Sequence, residues 1–209
     1  MAYRRTPRVE ARQAAARERI AAAAHEQVAE GGYASASVQA VAARAGVAVG
    51  TVYRHFPSKA DLVAEVFRGA AERELAVVQE VVSDPAEPAA HRVAAAAEAF
   101  CRRALAAPTL AYAQLAEPVD PAVEGERLRL RRGYRDAFAG VLADGVASGE
   151  LGPHDTTTVA AALVGALGEA LVGPLAAGAD GRHDALVATL VDFCLSSLPT
   201  TEGASAWSP

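Results

Sequence analysis

The sequence predicts an all-α fold: a small N-terminal three-helix unit built around a helix-turn-helix, joined by a long helix to a larger C-terminal helical domain. Three observations lead there. Apolar residues recur at helical spacing along almost the whole chain, and no alternating strand pattern or internal repeat competes. Residues 37–61, SVQAVAARAGVAVGTVYRHFPSKAD, hold two short apolar stripes that fall out of phase on either side of Gly46. Charge divides at the same boundary. Residues 1–60 carry nine Lys or Arg against four Asp or Glu, a net of +5, whereas residues 61–209 carry eleven against twenty-one, a net of −10. The chain is acidic as a whole, so only its first part is suited to approach a polyanion.

The spacing divides the chain into a basic, flexible arm (residues 1–16), a helix-turn-helix domain (17–60), a helical domain (61–198) and a polar tail (199–209) that holds Trp207. In the arm Arg4, Arg5, Arg8 and Arg12 could lie along a phosphate backbone or in a minor groove; a solubilising tail is the alternative. The first helix is bounded at Arg8 and Glu30, places Ile20, Ala24 and Val28 on one face, and ends at Gly31 and Gly32. Tyr33 is expected to pack back on the three-helix unit. Ser37 is an N-cap residue, and Val38, Val41, Ala42 and Ala45 form the stripe of the second helix, which Gly46 ends. Ala42 and Ala45 are small enough to let the next helix cross closely.

That third helix, Val49 to Phe56, buries Val52 and Phe56 and turns Gly50, Thr51, Tyr53, Arg54 and His55 outward. Hydroxyl, guanidinium and imidazole groups can all donate to phosphate oxygens, and Gly50 leaves the helix start bare for a close approach to base edges. Pro57 stops the helix, after which Ser58 and Asp61 make a variant capping box. Lys59 is the chain's only lysine and sits in the first turn of the following helix, where a cation opposes the helix dipole. A phosphate held between its ammonium and the helix N-terminus would remove that penalty; a solvated surface lysine is the plainer reading.

The stretch from Arg17 to Phe67, about a quarter of the chain, resembles the DNA-binding region of the TetR family of bacterial transcriptional regulators. The resemblance is carried by Thr51, Tyr53, His55, Phe56, Ser58 and Lys59, which stand in the order and spacing of that family's T-x-Y-x-H-F end and lysine-bearing turn. It implies a homodimeric, all-helical repressor that binds double-stranded DNA, with a C-terminal ligand-binding and dimerisation domain. The chain departs from the pattern at Ala48, where a hydroxyl residue usually caps the reading helix, and at Val49, where a polar residue is common. Val49 then suits a thymine methyl, and base-edge hydrogen bonding falls to Gln39, whose amide suits adenine. The candidate DNA contacts are Ser37, Gln39, Arg44, Val49, Gly50, Thr51, Tyr53, Arg54, His55 and Lys59.

Beyond Lys59 the expected helices are Ser58 to Val82, Ala89 to Ala106, Leu110 to Ala116, Ala122 to Ser148, Asp155 to Ala177 and Asp184 to Leu198. The arginines of residues 127–135 are offset by Glu124, Glu126 and Asp136 and read as a solvated, paired helix face. The Asp155 to Ala177 helix is apolar around most of its circumference, so it must be buried nearly all round. Pairing it and the last helix with their copies in a second subunit would do that; a central core helix in a monomer is the alternative. A membrane span is not expected, because Glu169, Gly173 and Pro174 interrupt the apolar run.

Ligand sensing follows from the resemblance more than from the residues. Phe100, Leu105, Tyr112, Leu115, Tyr134, Phe138, Leu142 and Leu167 could line a pocket, with Gln114, Glu117 or Glu169 as polar anchors, and such a lining suits a hydrophobic or aromatic effector. For any one of them an ordinary core position is the better reading. No cofactor or metal is expected: His25, His55, His91, His154 and His183 show no ligand spacing, Cys101 and Cys194 no disulfide framework, and no nucleophile motif is present. An enzyme is therefore disfavoured. A helical small-molecule-binding protein without specific DNA binding is the other alternative. With two cysteines and an arginine-rich start that lacks an apolar segment, the expected setting is the cytoplasm.

Overall fold

The computed structural model describes residues 7–178 and 183–199. Among them every regular element is a helix: α1 (Pro7–Ser35), α2 (Val38–Ala45), α3 (Val49–His55), α4 (Lys59–Val81), α5 (Ala89–Ala106), α6 (Pro108–Leu115), α7 (Pro121–Ser148), α8 (Thr156–Ala177) and α9 (His183–Ser196). Arg4, Arg5 and Trp207 lie outside the described residues.

The N-terminal end corrects one expectation. Arg8 and Arg12 do not lie in an arm ahead of the first helix; they are on α1, which begins at Pro7. The segment EARQAAARER is composed of strong helix formers, so the helix propagates back from its buried part. Gly31 and Gly32 do break the helical geometry, yet as a kink within α1: Gly32 has φ 72° and ψ −173°, a conformation essentially confined to glycine. Prolines start helices here as well as ending them. Pro108 opens α6 and Pro121 opens α7, each at a position where its missing N–H costs nothing, which moves both starts ahead of the Leu110 and Ala122 expected.

Two apolar cores result. Ile20, Ala24 and Val28 of α1 close on Val41 of α2, Val52 and Phe56 beside α3, and Leu62, Val63, Val66 and Phe67 of α4. The second core gathers Val78 of α4, Val93, Ala97 and Cys101 of α5, Phe138 and Leu142 of α7, Leu163, Leu167 and Leu171 of α8, and Val187 and Cys194 of α9. Helix α4 belongs to both. So does the start of the C-terminal domain, because Ala113 of α6 and Val123 of α7 are fully buried in the first core.

Helix α8 is not buried nearly all round within one chain. It runs unbroken through Gly173 and Pro174 and buries a single stripe, Ala160, Leu163, Leu167, Leu171 and Leu175. By length and composition it could cross a bilayer, but in this fold it packs on α5, α6 and α7. Ala162 and Ala170 on its outer side stay exposed, as do Phe193 and Leu195 of α9.

Candidate nucleic-acid interface and effector pocket

The two short helices are set by local chemistry. Ser37 Oγ accepts from the Ala40 N–H at 3.1 Å and caps α2, and Gly46 ends it in the left-handed region at φ 65°. Ala48 begins α3 with no side-chain cap. Ser58 caps α4, accepting from the Asp61 N–H at 3.1 Å and donating to its carboxylate at 2.7 Å.

Helix α3 keeps Val52 inside and presents a free face. Tyr53 is 48% and Val49 36% exposed, Gly50 and Arg54 are open to solvent, and Thr51 and His55 are half-buried. A Cβ at Gly50 would meet nothing within 4 Å, so the surface there is unobstructed backbone. Gln39 is exposed on α2.

Two of the three Lys and Arg side chains named from sequence, Arg44 and Lys59, are already engaged. Arg44 forms a bidentate pair with Glu30, at 2.8 and 2.6 Å, and lies 3.5 Å from Glu26, so it ties α2 to α1. Its hydrogen bonds hold the Glu30 carboxyl below the usual carboxylate range. Lys59 places its ammonium 4.1 Å from the centre of the Tyr33 ring and 3.5 Å from the Ala34 carbonyl; burial lowers its pKa, with Glu117 acting in the opposite direction. It therefore joins the start of α4 to the turn ahead of α2.

Two residues hold the helix-turn-helix in place through contacts that no local pattern signals, and one of them, Glu117, does so instead of lining the cavity. Arg17 donates to the His55 carbonyl at 3.0 Å, lies 4.2 Å over the Phe56 ring and pairs with Glu65 at 2.9 Å, which closes the C-terminal end of α3. Glu117, just past α6, accepts from the Tyr33 N–H at 2.8 Å and the Ala34 N–H at 3.2 Å, while the Tyr33 hydroxyl donates to Asp120. A Cβ on Gly32 would sit 2.7 Å from a Glu117 oxygen. The C-terminal domain thus grips the turn that leads into the helix-turn-helix.

A cavity of about 790 Å³ lies among α5, α6, α7 and α8. Phe100, Leu115, Tyr134 and Glu169, with Gln114, line it as anticipated; Phe100 and Tyr134 meet edge to face with centroids 5.0 Å apart. Leu105, Phe138, Leu142 and Leu167 are core residues instead, and Tyr112 packs half-buried beside them, because their helical positions face the bundle axis rather than the gap. The larger correction concerns α7. Arg127, Arg131 and Arg135 recur every four residues, so they share one face; with Arg132 they line the cavity rather than forming only a solvated outer face. Arg127 is buried, and its guanidinium donates to the carbonyls of Ala113 at 2.9 Å and Glu117 at 2.6 Å and to Glu124 at 2.7 Å.

The buried thiols offer no chemistry. Burial pushes Cys101 up to about 12 and Cys194 to about 11, so both stay protonated near neutral pH.

A crossed pair of short helices with an open face on the second, carried on a helical domain with its own cavity, defines a helix-turn-helix protein with a separate binding domain. A family model described as bacterial regulatory proteins, tetR family, matches residues 20–66, so over that stretch the chain is similar to the family's DNA-binding region. The HTH-type transcriptional repressor KstR of Rhodococcus jostii (strain RHA1) is 46% identical over 57 residues, and this match covers 27% of each chain. Solved structures with the same fold extend over both domains. The fatty acid degradation regulator FadR of Bacillus halodurans superposes with a TM-score of 0.73 at 23% identity, covering 87% of this chain and 98% of its own. FadR of Bacillus subtilis, solved in complex with stearoyl-CoA, gives 0.75 at 22% identity, covering 86% and 97%. A TetR/AcrR family regulator from Thermobifida fusca YX-ER1 gives 0.63 at 26%, covering 87% and 97%. The matched family and these structures are described as regulators, not enzymes.

Proposed function

We propose that the protein is a transcriptional repressor that binds a palindromic operator as a homodimer and is released by a small ligand with a substantial apolar part. The observation that carries this reading is α3, a seven-residue helix that holds Val52 in the core and offers Val49, Gly50, Tyr53 and Arg54 to a groove. One such helix contacts too few bases for useful specificity. Two related by a two-fold axis address half-sites about 34 Å apart. The exposed apolar sides of α8 and α9 supply a self-complementary surface for that pairing.

In this scheme Tyr53, Thr51, Arg54 and His55 contact phosphate, and Val49 and Gln39 meet base edges. Lys59 has three ammonium donors and one carbonyl partner, so it can still reach a phosphate beside Tyr33. Release follows from α6, whose Gln114 and Leu115 line the cavity while Ala113 is packed in the DNA-reading domain. A ligand that binds better when α6 is shifted favours a dimer whose two α3 helices are wrongly spaced.

Selection from random duplex DNA tests the first half, with recovery of an inverted repeat expected. Tyr53→Phe and Lys59→Ala are each expected to weaken binding to all sequences alike, and Lys59→Ala to reduce the salt slope by about 1. Unchanged affinity for both variants at fixed salt overturns the phosphate contacts, and recovery of no common sequence overturns the operator.

A further inference from the structure

We infer that the cavity takes an amphipathic anion: an acyl chain that carries an oxygen-bearing, negatively charged head. This rests on the reading of the cavity as the effector site and specifies what enters it.

The inference starts from two unsatisfied donors. Gln114 is 9% and Arg127 8% exposed, both line the cavity, and among the described residues Gln114 Nε2 and Arg127 Nε have no hydrogen-bond partner. A buried donor without a partner costs free energy, and a ligand oxygen is what would satisfy it. Both orphaned atoms are donors, so they select an acceptor such as a carbonyl, carboxylate or phosphate oxygen. An amine or alkyl end leaves them unpaired.

Charge points the same way. Four arginines line the cavity against the one carboxylate of Glu169. Arg131 and Arg132 are exposed, and Arg132 forms no ion pair among the described residues. Both are free to meet a charged head together with the buried Arg127, whose own charge is partly offset by Glu124. The rest of the lining is largely apolar, with Phe100, Leu128, Tyr134 and Val164 available to an aliphatic chain. A purely hydrophobic or aromatic effector would use those walls and leave the donors and the arginines without a counterpart. A free carboxylate and the phosphate-bearing thioester of a carrier both have the required chemistry.

Calorimetric titration of the full-length protein with dodecanoate, dodecanoyl-coenzyme A and dodecanol separates the cases. At least one of the two anions is expected to bind tenfold or more tighter than dodecanol, and whichever anion binds tighter identifies the head. Arg127 also holds α6, so the charge test uses the exposed double variant Arg131→Gln/Arg132→Gln, and the donor test uses Gln114→Leu. The double variant is expected to lose at least fivefold in affinity for the anion with dodecanol unchanged, and Gln114→Leu to weaken the anion more than the alcohol. Equal affinity for anion and alcohol, or anion binding insensitive to both variants, overturns the inference while leaving an apolar effector site intact. Binding of none of the three overturns the effector site itself.

Discussion

Ala48 starts α3, the proposed DNA-reading helix, with extended backbone, φ −69° and ψ 146°, and gives its first amides no side-chain acceptor. The two neighbouring helices show what is missing, since Ser37 and Ser58 each accept from the amide three residues on. Ala48→Ser should therefore stabilise the protein by about 1 kcal/mol, read as a raised urea midpoint at unchanged slope. An unmoved midpoint would show that the end of α3 is fixed from elsewhere. Arg17 is the residue positioned to do so, through its hydrogen bond to the His55 carbonyl and its place over Phe56. At this scale the sequence was readable wherever the chemistry was local. The caps at Ser37 and Ser58 and the glycine stop at Gly46 follow from neighbours within three or four positions. The ion pairs of Arg44 were not legible, because its partners Glu26 and Glu30 come from α1 and are known only once α1 and α2 pack.

Among the elements, the kink at Gly31 and Gly32 shows how a sequence signal is right in kind and incomplete in meaning. Two glycines mark a helix end by their conformational freedom alone, yet their use becomes clear only with Glu117, some eighty positions away, beside them. Gly32→Ala would force a side chain into the glycine-only region and onto the Glu117 carboxylate. The expected cost is about 1–3 kcal/mol in a thermal or urea unfolding experiment, with a weakened join between the turn and α6. A variant as stable as the parent would mean that the turn can be rebuilt without that conformation. Helix α7 makes a related point. Its arginines and carboxylates pair by count along the chain, but Arg127, Arg131 and Arg135 share the face that looks into the cavity while Asp136 does not. Net balance hid an asymmetry that periodicity could have shown.

Over the whole molecule, charge and apolar spacing set a basic first part apart from an acidic helical remainder, and the buried residues gather into two cores. What those patterns did not carry was the join. Ala113 and Val123 are chemically ordinary, and nothing in their neighbourhood says that they complete the other domain's core. The pocket was half legible for a similar reason: a helical pattern tells which residues are apolar, while which of them face a gap depends on how four helices are set together. Phe100 and Tyr134 face it and Phe138 does not.

If the outer side of α8, with Ala162 and Ala170 exposed, and Phe193 and Leu195 of α9 pair with a second copy as proposed, stability becomes a matter of mass action. In such a pair, apolar surface left uncovered in one copy is removed from water by the other, so the folded form would draw part of its free energy from association. The melting temperature should then rise with protein concentration over a hundredfold dilution series, and Phe193→Glu should abolish that dependence. A melting temperature independent of concentration would mean that each copy stands alone. Where the dependence holds, the amount of the protein in a cell would set both how much of it is paired and how much of it survives unfolding.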